Sequence, residues 1–168
     1  MRIITKILRL FVIVLCLVLP CFSQRSDLPE KWSKIKTFIS TREDVDKLFG
    51  NGIANGHFIK YPTQTGLIFV DYSAGNCKST QYPIWNMPEW TVTEVTYILS
   101  NKSMKLNDVI PKRNKYKQKQ AGDVSDHVEY YDDAAGVSII YDKRLKHVLN
   151  IVLRASTKDK LLLGCGAK

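Results

Sequence analysis

Histidine and cysteine are scarce in this chain, and the residue patterns that usually mark an enzyme are missing. Three histidines and four cysteines occur among 168 residues. The sequence contains no GxSxG, HExxH, P-loop or GxGxxG motif, and no CxxC pair that would indicate a redox or zinc site. It therefore predicts a protein that is not an enzyme, with no catalytic residues, no metal and no cofactor.

Long apolar runs are also missing, apart from one near the start. Leu10 to Phe22 is a charge-free run of 13 residues, whereas a membrane-spanning helix needs about 20 apolar residues. Three cations and no acid precede the run, namely Arg2, Lys6 and Arg9. This pattern is typical of an export signal peptide. Small side chains at Cys21 and Ser23 predict a signal peptide over residues 1–23, with cleavage between Ser23 and Gln24.

Two other fates of the leader stay open. It is either an uncleaved signal anchor or a lipoprotein signal with Cys21 lipidated, although Pro20 is a poor substitute for the small residue that precedes a lipidated cysteine. Cleavage leaves no transmembrane segment and predicts a secreted or periplasmic protein. Loss of the leader's three cations lowers the formal net charge from +9 to +6. Given that compartment, we expect no nucleic-acid partner.

Cysteine usage fits export. Cys16 and Cys21 leave with the leader, and Cys77 and Cys165 remain. An even pair in an oxidising compartment favours a disulfide, so we expect Cys77 to be bonded to Cys165. Two separate free thiols are the alternative.

One short amphipathic helix is predicted after residue 40. Ser40 is a natural N-cap with Glu43 as its capping-box partner. Val45, Leu48 and Phe49 fall on one helical face, and Gly50 is a C-terminal stop.

The rest of the chain alternates apolar and polar residues with a period of two, which predicts antiparallel strands with one buried face. The expected fold is α+β, an antiparallel sheet of about six strands with one or two short helices packed on one face. A tandem α-β-β-β repeat is one reading of the element order. Residues 24–39 are expected to form an N-terminal arm and residues 40–168 a single domain. The predicted strands are His57–Tyr61, Leu67–Ser73, Thr91–Leu99, His127–Asp132, Gly136–Asp142 and His147–Ala155.

Several stretches resemble known exported proteins. The helix from Ser40 to Gly50 is similar to the one that opens domains of the BamE outer-membrane lipoprotein and β-lactamase-inhibitor-protein type. Most of the mature chain resembles a group of exported bacterial proteins. This wider resemblance is carried by residues 40–45, 69–77, 85–88 and 158–165. It implies a small α+β binding-type fold without a known catalytic centre.

The long connection between the third and fourth predicted elements is the best candidate interaction site. Aromatic residues and methionine dominate interface energetics, and four of them lie within nine residues. They are Tyr82, Trp85, Met87 and Trp90. The structural alternative is that the tryptophans cap the core or cover a sheet edge.

A basic run is the second candidate surface. Its cations can contact phosphates or an anionic lipid surface, or simply solvate a loop. They are Lys112, Arg113, Lys115, Lys117 and Lys119, with Tyr116 between them. A formal glycosylation sequon lies at residues 101–103.

Other polar clusters are weak signals. His127 and Glu129 share a strand face, but two ligands at that spacing occur often by chance. Asp132, Asp133 and Asp142 lie in predicted turns, where Asp is favoured for local backbone bonding. The sequence therefore favours an exported, non-enzymatic domain that binds a protein or a cell-envelope component. The alternative is a small extracytoplasmic hydrolase whose acids and histidines meet only in the folded chain.

Overall fold

The computed structural model describes residues 34–77, 85–100, 104–110 and 112–165. The predicted leader with Cys21, the arm up to residue 33, Tyr82 and the sequon lie outside these ranges. The helices are α1 (Arg42–Phe49), α2 (Leu106–Val109) and α3 (Thr157–Leu163), with a single 3-10 turn at Arg113–Lys115. The strands are β1 (Ile53–Asn55), β2 (Phe58–Thr63), β3 (Gly66–Tyr72), β4 (Val92–Leu99), β5 (Lys117–Gln120), β6 (His127–Asp132), β7 (Val137–Asp142) and β8 (His147–Leu153).

All eight strands form one antiparallel sheet in the order β1-β2-β3-β4-β8-β7-β6-β5. Two four-stranded meanders therefore meet where β4 pairs with β8. A helix precedes each meander, so the two halves share one element order, α-β-β-β-β. The α+β class is confirmed, whereas the expected count of about six strands is wrong.

The two strands missed from the sequence are the edges of the sheet. Every residue of Ile53–Asn55 and Lys117–Gln120 is exposed. The second of these reads Lys-Gln-Lys-Gln and has no apolar residue to alternate. Its strand conformation comes from backbone pairing with β6, which leaves no hydrophobic pattern in the sequence.

One face of the sheet carries the main core. A row of buried side chains crosses β2, β3, β4, β8 and β7 in register, and the first helix of each half packs against it. Val45 from α1 and Leu106 from α2 are buried in this cluster. The row consists of Tyr61, Ile68, Tyr97, Ile151 and Ile139.

Helix α1 begins one residue later than the sequence indicates. Thr41 is the N-cap, and Asp44 completes the capping box. Both Ser40–Glu43 and Thr41–Asp44 have the required spacing. Ser40 is not available as the cap because it is buried and its hydroxyl accepts a hydrogen bond from the Lys36 backbone N–H at 3.0 Å.

Asp46 ties α1 to the sheet. The hydroxyl of Tyr61 donates to Asp46 at 2.8 Å, and the hydroxyls of Tyr61 and Tyr72 lie 2.9 Å apart. Burial, together with the adjacent Asp46 carboxylate, raises the pKa of Tyr61 to about 12. Burial also raises the pKa of Tyr72, so both phenols stay protonated at neutral pH and their hydrogen bonds hold α1 on the sheet.

A second, smaller cluster closes one end of the molecule. Trp85, Met87 and Ala155 are buried there, and Phe38 and Leu163 pack against them. Ser156 caps α3, and Asp159 is its capping-box partner. The Cys77–Cys165 disulfide, with its Cα atoms 5.7 Å apart, joins this end to the β3–β4 connection.

Each half of the sheet has a glycine at the turn between its second and third strands. Gly66 opens β3 and Gly136 precedes β7, both with positive φ. A Cβ at Gly66 would lie 2.0 Å from the carbonyl oxygen of Ile98, and one at Gly136 would lie 2.1 Å from that of Arg154. Each glycine thus lets a hairpin turn pass close to the end of the neighbouring central strand.

No helix within the described ranges is long and apolar enough to cross a membrane.

Candidate functional site

The sheet face opposite α1 and α2, here called the outer face, is the best candidate site. Its residues alternate with those of the core along each strand, and the register aligns them across the sheet. A continuous row runs from one edge region to the other. This row is Lys60, Phe69, Thr96, Val152, Ser138, Tyr131 and Lys117.

The first half of the outer face carries aromatic and aliphatic surface. Phe58 stacks on Phe69, with ring centroids 5.3 Å apart and an interplanar angle of 17°. Phe58 is 39% exposed and Ile98 is 37% exposed. Aromatic and aliphatic side chains presented on a rigid sheet are the groups that supply binding energy at protein interfaces.

Two carboxylates oppose each other beside this stack. Asp71 on β3 pairs in register with Glu94 on β4. Burial raises the pKa of both carboxyls, and repulsion from Asp71 raises that of Glu94 further. Attraction from Arg154 and a hydrogen bond from Thr96 at 3.5 Å compensate Glu94 in part. Like charges at directly opposed strand positions destabilise a sheet.

The second half of the outer face has a compensated carboxylate instead. Ser138 donates a hydrogen bond of 2.6 Å to Glu129, and the ammonium of Lys119 lies 3.1 Å from it. Arg154 approaches the same carboxylate at 3.5 Å. Burial alone would raise the pKa of Glu129, but the bonds from Ser138 and Lys119 outweigh it and hold the pKa below its ordinary value.

The basic run is divided between two settings. Lys117 and Lys119 lie on edge strand β5, and both ammonium groups sit over the ring of Tyr131, at 5.9 and 5.1 Å. Arg113 donates to Asn107 at 2.5 Å. Lys112 and Lys115 flank it with their side chains exposed. These cations therefore do not form one continuous patch on a single element.

A pocket of about 530 Å³ opens where the two halves meet, and residues of β4 and of the second half line it. Its floor is aliphatic, and the β5–β6 turn at residues 121–124 forms one wall. His127, Glu129 and Asp123 contribute polar groups. His127 lies 3.5 Å from the buried Asp142. The aliphatic floor consists of Ile98, Leu99, Ile140 and Leu149.

The aromatic connection predicted as an interaction site folds back onto the molecule where it is described. Trp85 and Met87 are buried in the smaller cluster, and Trp85 packs edge-on against Phe38 with ring centroids 4.8 Å apart. Burial favours the structural alternative at these two positions.

Trp90, the last of the four predicted interaction residues, is half-buried. The Arg42 guanidinium lies 4.8 Å from its ring centroid, and the His57 ring lies 4.6 Å from it. His57 also contacts Glu89 at 3.1 Å. These contacts hold the β3–β4 connection against the start of β2, so Trp90 has a structural role in the fold.

The other polar residues singled out in the sequence have local partners. Asp132 accepts hydrogen bonds from the backbone of Ala134 and Ala135, and Asp142 accepts one from Leu145. The described part of the chain brings no three His, Cys, Asp or Glu side chains together as a metal-binding group.

Sequence reasoning missed the two contrasting carboxylate arrangements of the outer face. The period-two alternation, which is visible in the sequence, places Glu94 and Glu129 on that face. The strand register that sets Asp71 against Glu94 and Ser138 near Glu129 depends on pairing between distant segments, which one sequence does not reveal.

Comparison of the chain with protein-family models, with curated proteins and with solved structures finds no match.

Proposed function

We propose that this protein is an exported, non-enzymatic binding domain that uses the outer face of its sheet to contact a protein or a cell-envelope component. The observation that carries the proposal is the Phe58–Phe69 stack, together with exposed Ile98, on the face opposite α1 and α2. The hydrophobic core packs against the opposite face of this sheet and holds the strands in place. Preorganised contacts of this kind lower the entropic cost of binding.

Export is part of the same proposal. The disulfide is compatible with an oxidising compartment, and the leader predicted in residues 1–23 supplies the route. The resemblance to exported domains of the BamE and β-lactamase-inhibitor-protein type implies a binding-type fold and thereby supports a binding role.

Site-specific photo-crosslinking in the intact envelope tests the proposal. A crosslinker at Ile98 on the outer face should yield a discrete adduct, and one at exposed Leu145, in the β7–β8 turn, should not. Phe58→Asp should abolish the Ile98 adduct, because a charge on the stack opposes apolar docking. Identical adducts from both positions, or none from Ile98, would contradict an outer-face binding site.

A second candidate function is a hydrolase, because the pocket gathers His127, Glu129 and Asp123. One observation weighs against it. Ser138 and Lys119 hold Glu129 ionised, which makes this carboxylate a weaker base. Assays with aryl ester, phosphate and glycoside substrates decide the matter. Turnover that disappears in His127→Ala would favour the hydrolase.

A further inference from the structure

Three large aliphatic side chains are exposed at the end of the molecule that the disulfide closes. Leu161 and Leu162 on α3 are 71% and 67% exposed, and Ile39 is 71% exposed. We call these three residues the aliphatic tip. Isolated exposed apolar residues are ordinary, but a group of them at one end of a fold indicates a contact surface.

The two segments that carry the tip residues pack on the same cluster of buried side chains. Leu163, which follows Leu162, and Phe38, which precedes Ile39, pack against one cluster built on Trp85. The backbone N–H of Asn86 donates to the carbonyl of Leu163 at 2.8 Å, and Trp85 pairs with Gly164. Both segments that carry the tip are therefore anchored on the same cluster, and the disulfide at Cys165 holds the second one.

Three exposed lysines lie within a few residues of the tip in the sequence. Lys158 and Lys160 are exposed on α3, and Lys36 is exposed one turn before Ile39. The one acid of α3 does not cancel them locally, because the carboxylate of Asp159 is turned back to the helix start. There it accepts hydrogen bonds from the backbone N–H and the hydroxyl of Ser156, at 3.0 and 2.6 Å.

Charge decides which occupant suits this surface. A symmetric dimer through the tip would place the lysines of one copy against those of the other, which opposes association. An anionic lipid surface complements them, and apolar side chains ringed by lysines are the usual means of interfacial membrane contact.

We propose that the aliphatic tip docks on the surface of an anionic lipid bilayer, with Leu161, Leu162 and Ile39 entering the headgroup region and the lysines contacting phosphates. This inference is independent of the proposed outer-face binding. It also differs from the basic-run hypothesis, because Lys112 and Lys115 lie on another element.

Vesicle sedimentation tests the proposal, with the exported protein purified from cells and its N-terminus read by mass spectrometry. The probes are vesicles of phosphatidylcholine alone and of an equal mixture with phosphatidylglycerol. Wild type should bind the anionic vesicles, and high salt should weaken binding. Leu161→Ser/Leu162→Ser should lower the partition coefficient about tenfold, through loss of buried methylene groups. Lys158→Gln/Lys160→Gln should lower it by a similar factor of about ten.

The matched control is Lys112→Gln/Lys115→Gln, which removes the same charge from the basic run and should leave the partition coefficient within about twofold of wild type. Melting temperatures verify that each variant is folded. Equal loss in the control, or unchanged binding in both tip variants, would overturn the proposal. So would a dimer seen by analytical ultracentrifugation without vesicles that Leu161→Ser/Leu162→Ser abolishes, because that result assigns the tip to self-association.

Discussion

The two halves of the sheet share a topology and differ in how they treat charge on the outer face. In β2–β4, Asp71 and Glu94 oppose each other beside an aromatic stack, and burial raises the pKa of both carboxyls. In β6–β8, Glu129 is bonded to Ser138 and Lys119, and its pKa is lowered. The same topology thus carries a partly compensated pair of carboxylates in the first half and a hydrogen-bonded, compensated carboxylate in the second.

Under the proposed function, this difference points to the first half of the outer face as the place of partner contact. Opposed, half-buried carboxylates weaken the isolated protein, and natural sequences accept such local conflicts chiefly at functional positions. The second half satisfies its own polar groups and depends less on anything outside the chain.

Removal of the disulfide should have the largest effect, because it joins the β3–β4 connection of the first half to the end of the second. For Cys77→Ala/Cys165→Ala, across a separation of 88 residues, we expect a loss of about 3–5 kcal/mol in the free energy of unfolding. Urea denaturation measures it, with reduced wild type as the control. A loss well under 1 kcal/mol would show that the two ends are held by packing alone.

Alanine at the equivalent glycines should test the likeness of the halves. Gly66→Ala and Gly136→Ala each combine a positive φ with a Cβ that meets a backbone carbonyl, so each should lose about 2–4 kcal/mol in thermal or urea unfolding. Gly122→Ala is the matched control, since Gly122 has φ +62 but open space around it, and it should lose about 1 kcal/mol. Three equal losses would refute the close approach.

Neutralising one carboxylate in each half should shift stability in opposite directions. Glu94→Gln removes repulsion with Asp71 and should stabilise by a few tenths to about 1 kcal/mol at neutral pH. Glu129→Gln removes an ionic acceptor of Ser138 and Lys119 and should destabilise by about 1 kcal/mol, since the group is partly solvated. Chemical denaturation at neutral pH compares them. The same sign for both variants would contradict the contrast between the halves.

The pH dependence of the same two variants should diverge. The pKa of Glu94 is raised in the folded state, so its charge costs stability above that pKa, and the cost disappears as pH falls through it toward the unfolded value. The pKa of Glu129 is lowered, so its contribution is present above the unfolded value and is lost as pH falls through the folded pKa.

Urea unfolding from neutral pH to about pH 3.5, below the ordinary carboxyl pKa of about 4, measures this divergence. The advantage of Glu94→Gln over wild type should vanish first on acidification, and the deficit of Glu129→Gln should persist to lower pH. A deficit of Glu129→Gln that vanishes before the Glu94→Gln advantage does would reverse the assignment.

The smallest stability effect is expected at the charged edge. Lys117→Thr/Lys119→Thr should change the free energy of unfolding by less than about 1 kcal/mol, because both side chains are mostly exposed. The variant should nevertheless associate at high concentration, since lysines on an edge strand discourage pairing with other chains. Light scattering measures association, and Lys112→Thr/Lys115→Thr should stay monodisperse as the control.

What the sequence predicted follows from local physics. The capping residues and apolar stripe of α1 act within a few residues, so its position was predicted to within one residue. The paired Cys77 and Cys165 followed from compartment and count. The exposed edges β1 and β5 were missed because they owe their form to a neighbouring strand. The outer-face groupings were missed because register across β3–β4 and β6–β7 sets them.

The pairing of β4 with β8 has a further consequence for how the molecule assembles. Six of the seven strand pairings join strands that are consecutive in the chain, and β4–β8 is the exception. Local hairpins form in microseconds, while distant pairings must first overcome loop-closure entropy. Each meander is therefore expected to form early, before β4 of the first meander pairs with β8 of the second. At high concentration the first meander of one molecule can pair with the second meander of another molecule. The junction of β4 and β8 is therefore the place where we expect domain swapping.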